Sequence, residues 1–156
     1  MLLQPSQVAP LFSLYDSGKI KISLSDYKGK NVLILFFPLA FTSVCTAELC
    51  DVRDNMSKYE TLNVQILGIS VDSLYSLKKY KEEMKLNFPL LSDFNKEVST
   101  LYGCLYDLFS YDMKGVSKRS AFIIDRDGII RYAEVLEDAG KVPDFNAIQE
   151  CLLTFV

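Results

Sequence analysis

Residues 31–45 read NVLILFFPLAFTSVC, and this stretch decides the fold. Its opening, Asn31 to Phe37, is an apolar run rich in branched and aromatic side chains. That is the pattern of a strand covered on both faces and therefore central in a sheet. Beyond Pro38, the apolar residues Val44, Leu49, Val52, Met56 and Tyr59 recur at helical spacings, with Thr42 or Ser43 available as N-cap. A helix is predicted from about Ser43 to Glu60. Residues 63–71, NVQILGISV, form a second buried strand. Two such strands joined through a helix make a right-handed βαβ unit with a parallel pair, so the chain is α/β at its heart.

Working outward, residues 73–85 place Leu74, Leu77, Tyr80, Lys81 and Met84 at intervals of three and four, an amphipathic helix with a charged outer face. A short helix is predicted over 96–102. Ser120 to Ile124 and Ile129 to Val135 are strand-like runs around Asp125-Arg126-Asp127-Gly128, residues that tolerate the backbone of a tight turn, so the second half closes with an antiparallel pair. Residues 144–155 carry Ile148, Leu152 and Phe155 on one stripe, a terminal helix that docks on the sheet. Ahead of the first buried strand, Phe12 to Tyr15 and Lys19 to Ser23 flank Asp16-Ser17-Gly18 and read as a smaller, N-terminal hairpin. No internal repeat, linker or low-complexity stretch interrupts this order.

The 156 residues suit one domain, 1–156, with a full core. Hydrophobic residues at 49% and charged residues at 24%, with 7 Gly and 5 Pro, exclude disorder and fibrous repeats. A net charge of −3 argues against a nucleic-acid partner. The longest apolar run, residues 32–41, contains Pro38 and falls well short of the ~20 residues a membrane span needs. The sequence MLLQP at the start has neither a basic beginning nor a long apolar stretch, so no secretory signal is read and a cytoplasmic location is expected. There the four cysteines, Cys45, Cys50, Cys104 and Cys151, are not permanent staples, and redox chemistry, metal binding or burial remain for them. The chain has no histidine, which excludes a Ser-His-Asp or Cys-His hydrolase.

Cys45 lies just inside a helix N-terminus that follows a central strand. Unpaired N–H groups and the positive end of the helix dipole converge there, and both favour thiolate over thiol. Thr42, three residues earlier, is expected to hydrogen-bond the sulfur across the first turn. Pro38 caps the strand without losing a needed N–H, restricts the loop and keeps water from the site. A free cysteine is commonly just a small buried hydrophobe, and that reading is weakened here by the context around Cys45.

Pro38-x-x-x-Thr42-x-x-Cys45 resembles the active-site motif of the peroxiredoxins, thiol peroxidases built on a thioredoxin-like fold. Leu67-Gly68-Ile69-Ser70-Val71-Asp72, Phe88-Pro89-Leu90-Leu91-Ser92-Asp93 and Lys118-Arg119-Ser120-Ala121-Phe122-Ile123-Ile124-Asp125 agree with the family in order and kind. The resemblance spans about Val8 to Cys151. Cys50, five residues after Cys45, makes the chain similar to the peroxiredoxin Q or bacterioferritin comigratory protein group, while the lead-in Phe36 to Thr42 also resembles one-cysteine relatives. The resemblance implies a thioredoxin-like fold, its central mixed sheet flanked by helices and extended by the N-terminal hairpin. It implies reduction of hydrogen peroxide and organic hydroperoxides through a sulfenic acid at Cys45, resolved by Cys50 as an intramolecular disulfide and recycled by a thioredoxin- or glutaredoxin-type reductant. It requires no cofactor or metal, and the protein would work as a monomer or homodimer. Arg119 matches the family's active-site arginine, whose fixed charge polarises peroxide and thiolate without histidine. Glu48 either orients that network or is merely a charge favoured early in a helix.

Magnitudes indicate where such a site gains its rate. Lowering a thiol pKa from ~8.5 to ~6 raises the thiolate fraction at pH 7 roughly 30-fold. A Brønsted slope of about 0.45 takes back about tenfold in nucleophilicity. The larger share must come from holding the peroxide in line and stabilising charge as it moves to the leaving oxygen. Residues i and i+5 of an intact helix lie ~8.7 Å apart between Cα atoms, beyond the ~4.4 to 6.8 Å a disulfide spans, so a Cys45–Cys50 bond requires the first turns to unwind. Burial is the expected fate of Cys104 and, more strongly, of Cys151. Other readings are a thioredoxin-like reductase, which lacks its Cys-x-x-Cys here, a zinc module, which lacks paired short spacings, and a redox sensor or holdase chaperone using the same Cys45.

Overall fold

The computed structural model describes residues 2–155. A two-stranded antiparallel hairpin, β1 (Ser13–Tyr15) and β2 (Lys21–Ser23), precedes β3 (Asn31–Phe36). Then follow α1 (Ser43–Asp54), α2 (Met56–Thr61), β4 (Val64–Ser70), α3 (Leu74–Met84), β5 (Leu90–Ser92), α4 (Glu97–Leu101), β6 (Ser120–Ile124), β7 (Ile130–Val135) and α5 (Phe145–Leu153). The main sheet has the order β5-β4-β3-β6-β7. β3 and β4 are parallel, as are β4 and β5, whereas β6 runs antiparallel to both β3 and β7. This is the expected mixed α/β sheet, with the apolar run at its centre.

Every residue of β3 is buried, and its two faces feed two separate cores. Leu33, Leu35 and Phe37 pack with Cys45, Leu49 and Val52 of α1, Leu77 and Tyr80 of α3, and Ile148 and Leu152 of α5. Val32, Ile34 and Phe36 pack on the other face with Phe12, Val98, Tyr102, Cys104 and Phe122. The period-2 alternation of a strand thus sorts a continuous apolar run into two layers.

One reading needs correction, and one strand carries no signal in the sequence. The helix expected from Ser43 to Glu60 is broken at Asn55, which has φ −107° and ψ 16°. The Asn55 side-chain amide donates to the Asp51 carbonyl at 2.8 Å, competing with the helical ladder in the way that disfavours Asn inside helices. The short strand β5 was not anticipated, because three residues following Pro89 give too little alternation to read. It is covered on its free side by the hairpin: Ser17 N–H donates to Leu90 O at 3.0 Å, and Asp16 bridges to Leu91. At the opposite edge, Ser6 N–H donates to Ile130 O and Ile130 N–H to Gln7 O.

Gly68, inside β4, stands where the sheet meets its neighbours most closely. A Cβ there would lie 2.8 Å from a Leu90 methyl and 3.4 Å from the Phe88 ring, both in the core. Gly68→Ala is therefore expected to lower stability by about 1 to 3 kcal/mol, read as a lower urea midpoint with an unchanged slope.

Candidate active site

The site lies at the carboxyl end of β3. The chain leaves that strand through Phe37 and Pro38 and turns into α1, whose N-cap is Thr42 in an extended conformation. The first bond of the helix runs from Thr46 N–H to Thr42 O at 3.0 Å. The amides of Ser43, Val44 and Cys45 therefore precede the helical ladder and constitute its open, partially positive end. Asp72, at the end of β4, fixes the approach: its carboxylate accepts from Ala40 N–H at 2.8 Å and from the Ser70 hydroxyl at 2.6 Å. This gives a structural role to the acidic residue that ends the Leu67–Asp72 stretch.

Arg119 reaches Cys45 because of strand pairing. β6 is antiparallel to β3 and pairs Ser120 with Phe36, so the residue just before β6 arrives beside the loop that ends β3. Its Nη1 donates to Cys45 Sγ at 3.2 Å and to Glu48 Oε1 at 2.8 Å, and Nη2 donates to Ala139 O at 2.9 Å. Arg119, Cys45 and Glu48 are 1%, 1% and 2% exposed. Glu48 is therefore the carboxylate that orients the guanidinium, the first of its two sequence readings. Burial pushes the Glu48 carboxyl up to about 7, against the pull of Arg119, and its Oε2 has no hydrogen-bond partner among the described residues. Arg119 is itself shifted upward: burial works against its charge, but Cys45 and Glu48 outweigh it.

The expected bond from Thr42 to the sulfur is not formed. The Thr42 hydroxyl donates to Leu39 O at 2.8 Å, because an extended N-cap does not share the i to i+3 geometry of the turn it precedes. Thr42 still lines a cavity of about 230 Å³ together with Cys45 and Arg119. Pro38, Leu39, Phe109 and Ala139 form its less polar walls. Phe109 and Ala139 were missed from sequence because they stand in irregular loops where no periodicity marks them. Asp93, which ends the Phe88–Asp93 stretch, lies elsewhere and accepts from Val98 and Ser99 N–H groups at the start of α4.

The four cysteines are free thiols in unequal settings. Cys50 is half-buried on the same intact helix as Cys45. Cys104 is in the opposite core layer, across the sheet from Cys45, and burial pushes its thiol up to about 12. Cys151, on α5, is shifted upward by partial burial, and its thiol faces the Arg131 carbonyl at 3.7 Å.

A cysteine at the open end of the helix after a central strand, with a guanidinium on its sulfur, defines a thiol-chemistry protein of thioredoxin-like fold. The family follows from comparison: residues 5–133 match the AhpC/TSA family model, and the chain belongs to that family, the peroxiredoxins. Alkyl hydroperoxide reductase E of Mycobacterium bovis is 38% identical over 146 residues, 92% of each chain. The structure of reduced 2-Cys peroxiredoxin of Plasmodium vivax superposes with a TM-score of 0.84 at 28% identity, covering 97% of this chain and 81% of that one. Peroxidoxin BcpB of Mycobacterium tuberculosis shares the fold over 99% of both chains, with a TM-score of 0.87 at 24% identity. Among these peroxiredoxins, the Cys45-x-x-x-x-Cys50 spacing is the feature similar to the peroxiredoxin Q or bacterioferritin comigratory protein group.

Two outcomes test the electrostatics of the site. Arg119→Met is expected to slow peroxide reduction by on the order of a hundredfold, as loss of one transition-state donor does. The loss should persist at pH values where thiolate titration is complete. Glu48 has a folded-state pKa above its ordinary 4.5, so the folded chain holds an extra proton between 4.5 and about 7. Its contribution to stability is full below that window and is lost as pH rises through it. In urea unfolding, the stability of the parent relative to Glu48→Gln should fall from pH 4.5 to pH 7 and stay constant above.

Proposed function

We propose that the protein is a thiol-dependent peroxidase that reduces hydrogen peroxide and organic hydroperoxides at Cys45. The observation that carries this reading is the 3.2 Å contact from Arg119 Nη1 to Cys45 Sγ at the open amide end of α1. A hydroperoxide in the cavity meets the sulfur on one side and a fixed charge with free N–H groups on the other. The Cys45 thiolate attacks the nearer peroxide oxygen. The S–O bond forms as the O–O bond breaks, and the departing alkoxide or hydroxide takes up from solvent the proton that the Cys45 thiol gave up, leaving as alcohol or water. Arg119 and the Val44 and Cys45 amides stabilise the charge that passes to the leaving oxygen. The Thr42 hydroxyl, donating to Leu39 O, keeps lone pairs free to accept from the peroxide O–H. Pro38 and the Asp72 clamp on Ala40 hold the loop in register, a positional contribution of the kind that favours in-line attack.

Cys50 is the resolving thiol in this reading. Its sulfur attacks the Cys45 sulfenic acid, the S–S bond forms, and water leaves. The helix must open first, since both residues lie within the unbroken α1. The separation of the two core layers favours Cys50 over Cys104 for this step. A thioredoxin- or glutaredoxin-type dithiol then reduces the disulfide. A cytoplasmic setting suits such a reductant, and no helix among the described residues is long and apolar enough to cross a membrane.

Intact mass after one equivalent of hydrogen peroxide, with peptide mapping, is the test. The parent should lose two hydrogens and show a Cys45–Cys50 peptide. Cys45→Ser should abolish peroxide consumption at every pH, and residual turnover within tenfold of the parent would sink the reading. Cys50→Ser should undergo the single stoichiometric oxidation but lose turnover with a thioredoxin-type reductant. Cys104→Ser and Cys151→Ser should keep both. A mapped Cys45–Cys104 or interchain disulfide would overturn the role of Cys50 and leave the peroxidase reading in place.

A further inference from the structure

We infer that Tyr80 is a positioning residue that latches the first turns of α1 closed and so sets the rate at which Cys45 can reach Cys50. The inference rests on the resolving role proposed for Cys50. Tyr80 projects from α3 and is fully buried. Its hydroxyl is 3.0 Å from Thr46 Oγ1, and Thr46 lies between the two cysteines on the helix that must open. The Tyr80 ring also packs on Phe41 at 4.9 Å and on Phe37 at 6.3 Å between centroids. Phe41, one residue before the N-cap, has φ +64°, a conformation that costs free energy in a bulky residue and needs packing to hold it.

The tethering of α1 is uneven along its length. Its carboxyl end is bound to the end of α3 by Arg53 donating to Met84 O and by Asn87 donating to Arg53 O. Between Ser43 and Cys50, the side-chain hydrogen bonds described to other elements are Thr46 with Tyr80, and Cys45 and Glu48 with Arg119. The Arg119 contacts belong to the reactive geometry and must hold until the peroxide has reacted. Neither Tyr80 nor Thr46 lines the cavity, and their hydrogen bond involves neither sulfur, so it can govern opening without entering the peroxide step.

In the resolving step the Cys50 thiol loses its proton and its sulfur attacks Cys45 Sγ. The Cys45 S–O bond breaks, and hydroxide combines with that proton as water. When opening precedes this attack, the observed rate is the opening equilibrium multiplied by the attack rate. Removing one neutral hydrogen bond that exists only in the closed state shifts that equilibrium about fivefold. A closed state populated well above nine-tenths barely changes occupancy, so the peroxide step keeps its rate.

The experiment mixes reduced protein with hydrogen peroxide in a rapid-quench apparatus, with thiol alkylation and intact mass to separate sulfenic acid from disulfide. Tyr80→Phe is expected to raise the sulfenic-to-disulfide rate about fivefold and leave the peroxide rate within twofold. Thr46→Val should do the same, and the double variant should add nothing further, because both remove one bond. An unchanged disulfide rate in both single variants, or a peroxide rate that falls in parallel, would overturn the latch. If the parent forms no Cys45–Cys50 disulfide, the resolving role of Cys50 fails separately. Amide exchange over residues 43–50 then decides the latch, with about fivefold faster exchange in Tyr80→Phe supporting it and unchanged exchange overturning it.

Discussion

The contact on which the rest depends is the burial of one guanidinium against one sulfur. A charged group removed from water is tolerated only when its partners are close and correctly oriented. Arg119 obtains them from two places: the first turns of α1, through Cys45 and Glu48, and the loop after β7, through the Ala139 carbonyl. Its own position comes from a third, the antiparallel pairing of β6 with β3. Reversing that pairing would put the residue before β6 at the far end of the sheet. The mixed character of the sheet is therefore a condition for the chemistry. β4, parallel to β3, carries Asp72 to the same end, and β6, antiparallel, brings Arg119 to it.

How much of this the sequence discloses varies with the range of the interaction. β3, β4, the hairpin of β6 and β7, and the stripes of α3 and α5 could be read from local periodicity, because each residue's face is set by its immediate neighbours. The break at Asn55 was not legible, since apolar spacings continue through it and only the side-chain bond to Asp51 ends the helix. Cys45 could be argued from its place at a helix start. Arg119 was legible only through resemblance, because nothing local distinguishes it from a solvated arginine and its partner is 74 residues away. Glu48 remained two-sided until that partner was in view. Thr42 was misjudged for the opposite reason: helical geometry was applied to a residue that stands just outside the helix.

The two-layer core also assigns unequal chemistry to thiols of one kind. Cys45 and Cys104 are equally hidden from solvent, yet one faces a guanidinium and the other an apolar layer that raises its pKa. Exposure alone would class them together. The difference arises from the parity of β3, whose alternate residues build the floor under each.

The N-terminal segment has a consequence beyond the site. Open sheets carry rows of unpaired backbone groups at their edges, where a strand from another molecule can add on. Here Asp16 and Ser17 occupy the outer side of β5, while Ser6 and Gln7 pair with the start of β7. One short stretch of chain thus blunts both borders of the sheet. Displacing it would offer neighbouring molecules two templates for aggregation and would also withdraw Phe12 from the core layer beneath β3.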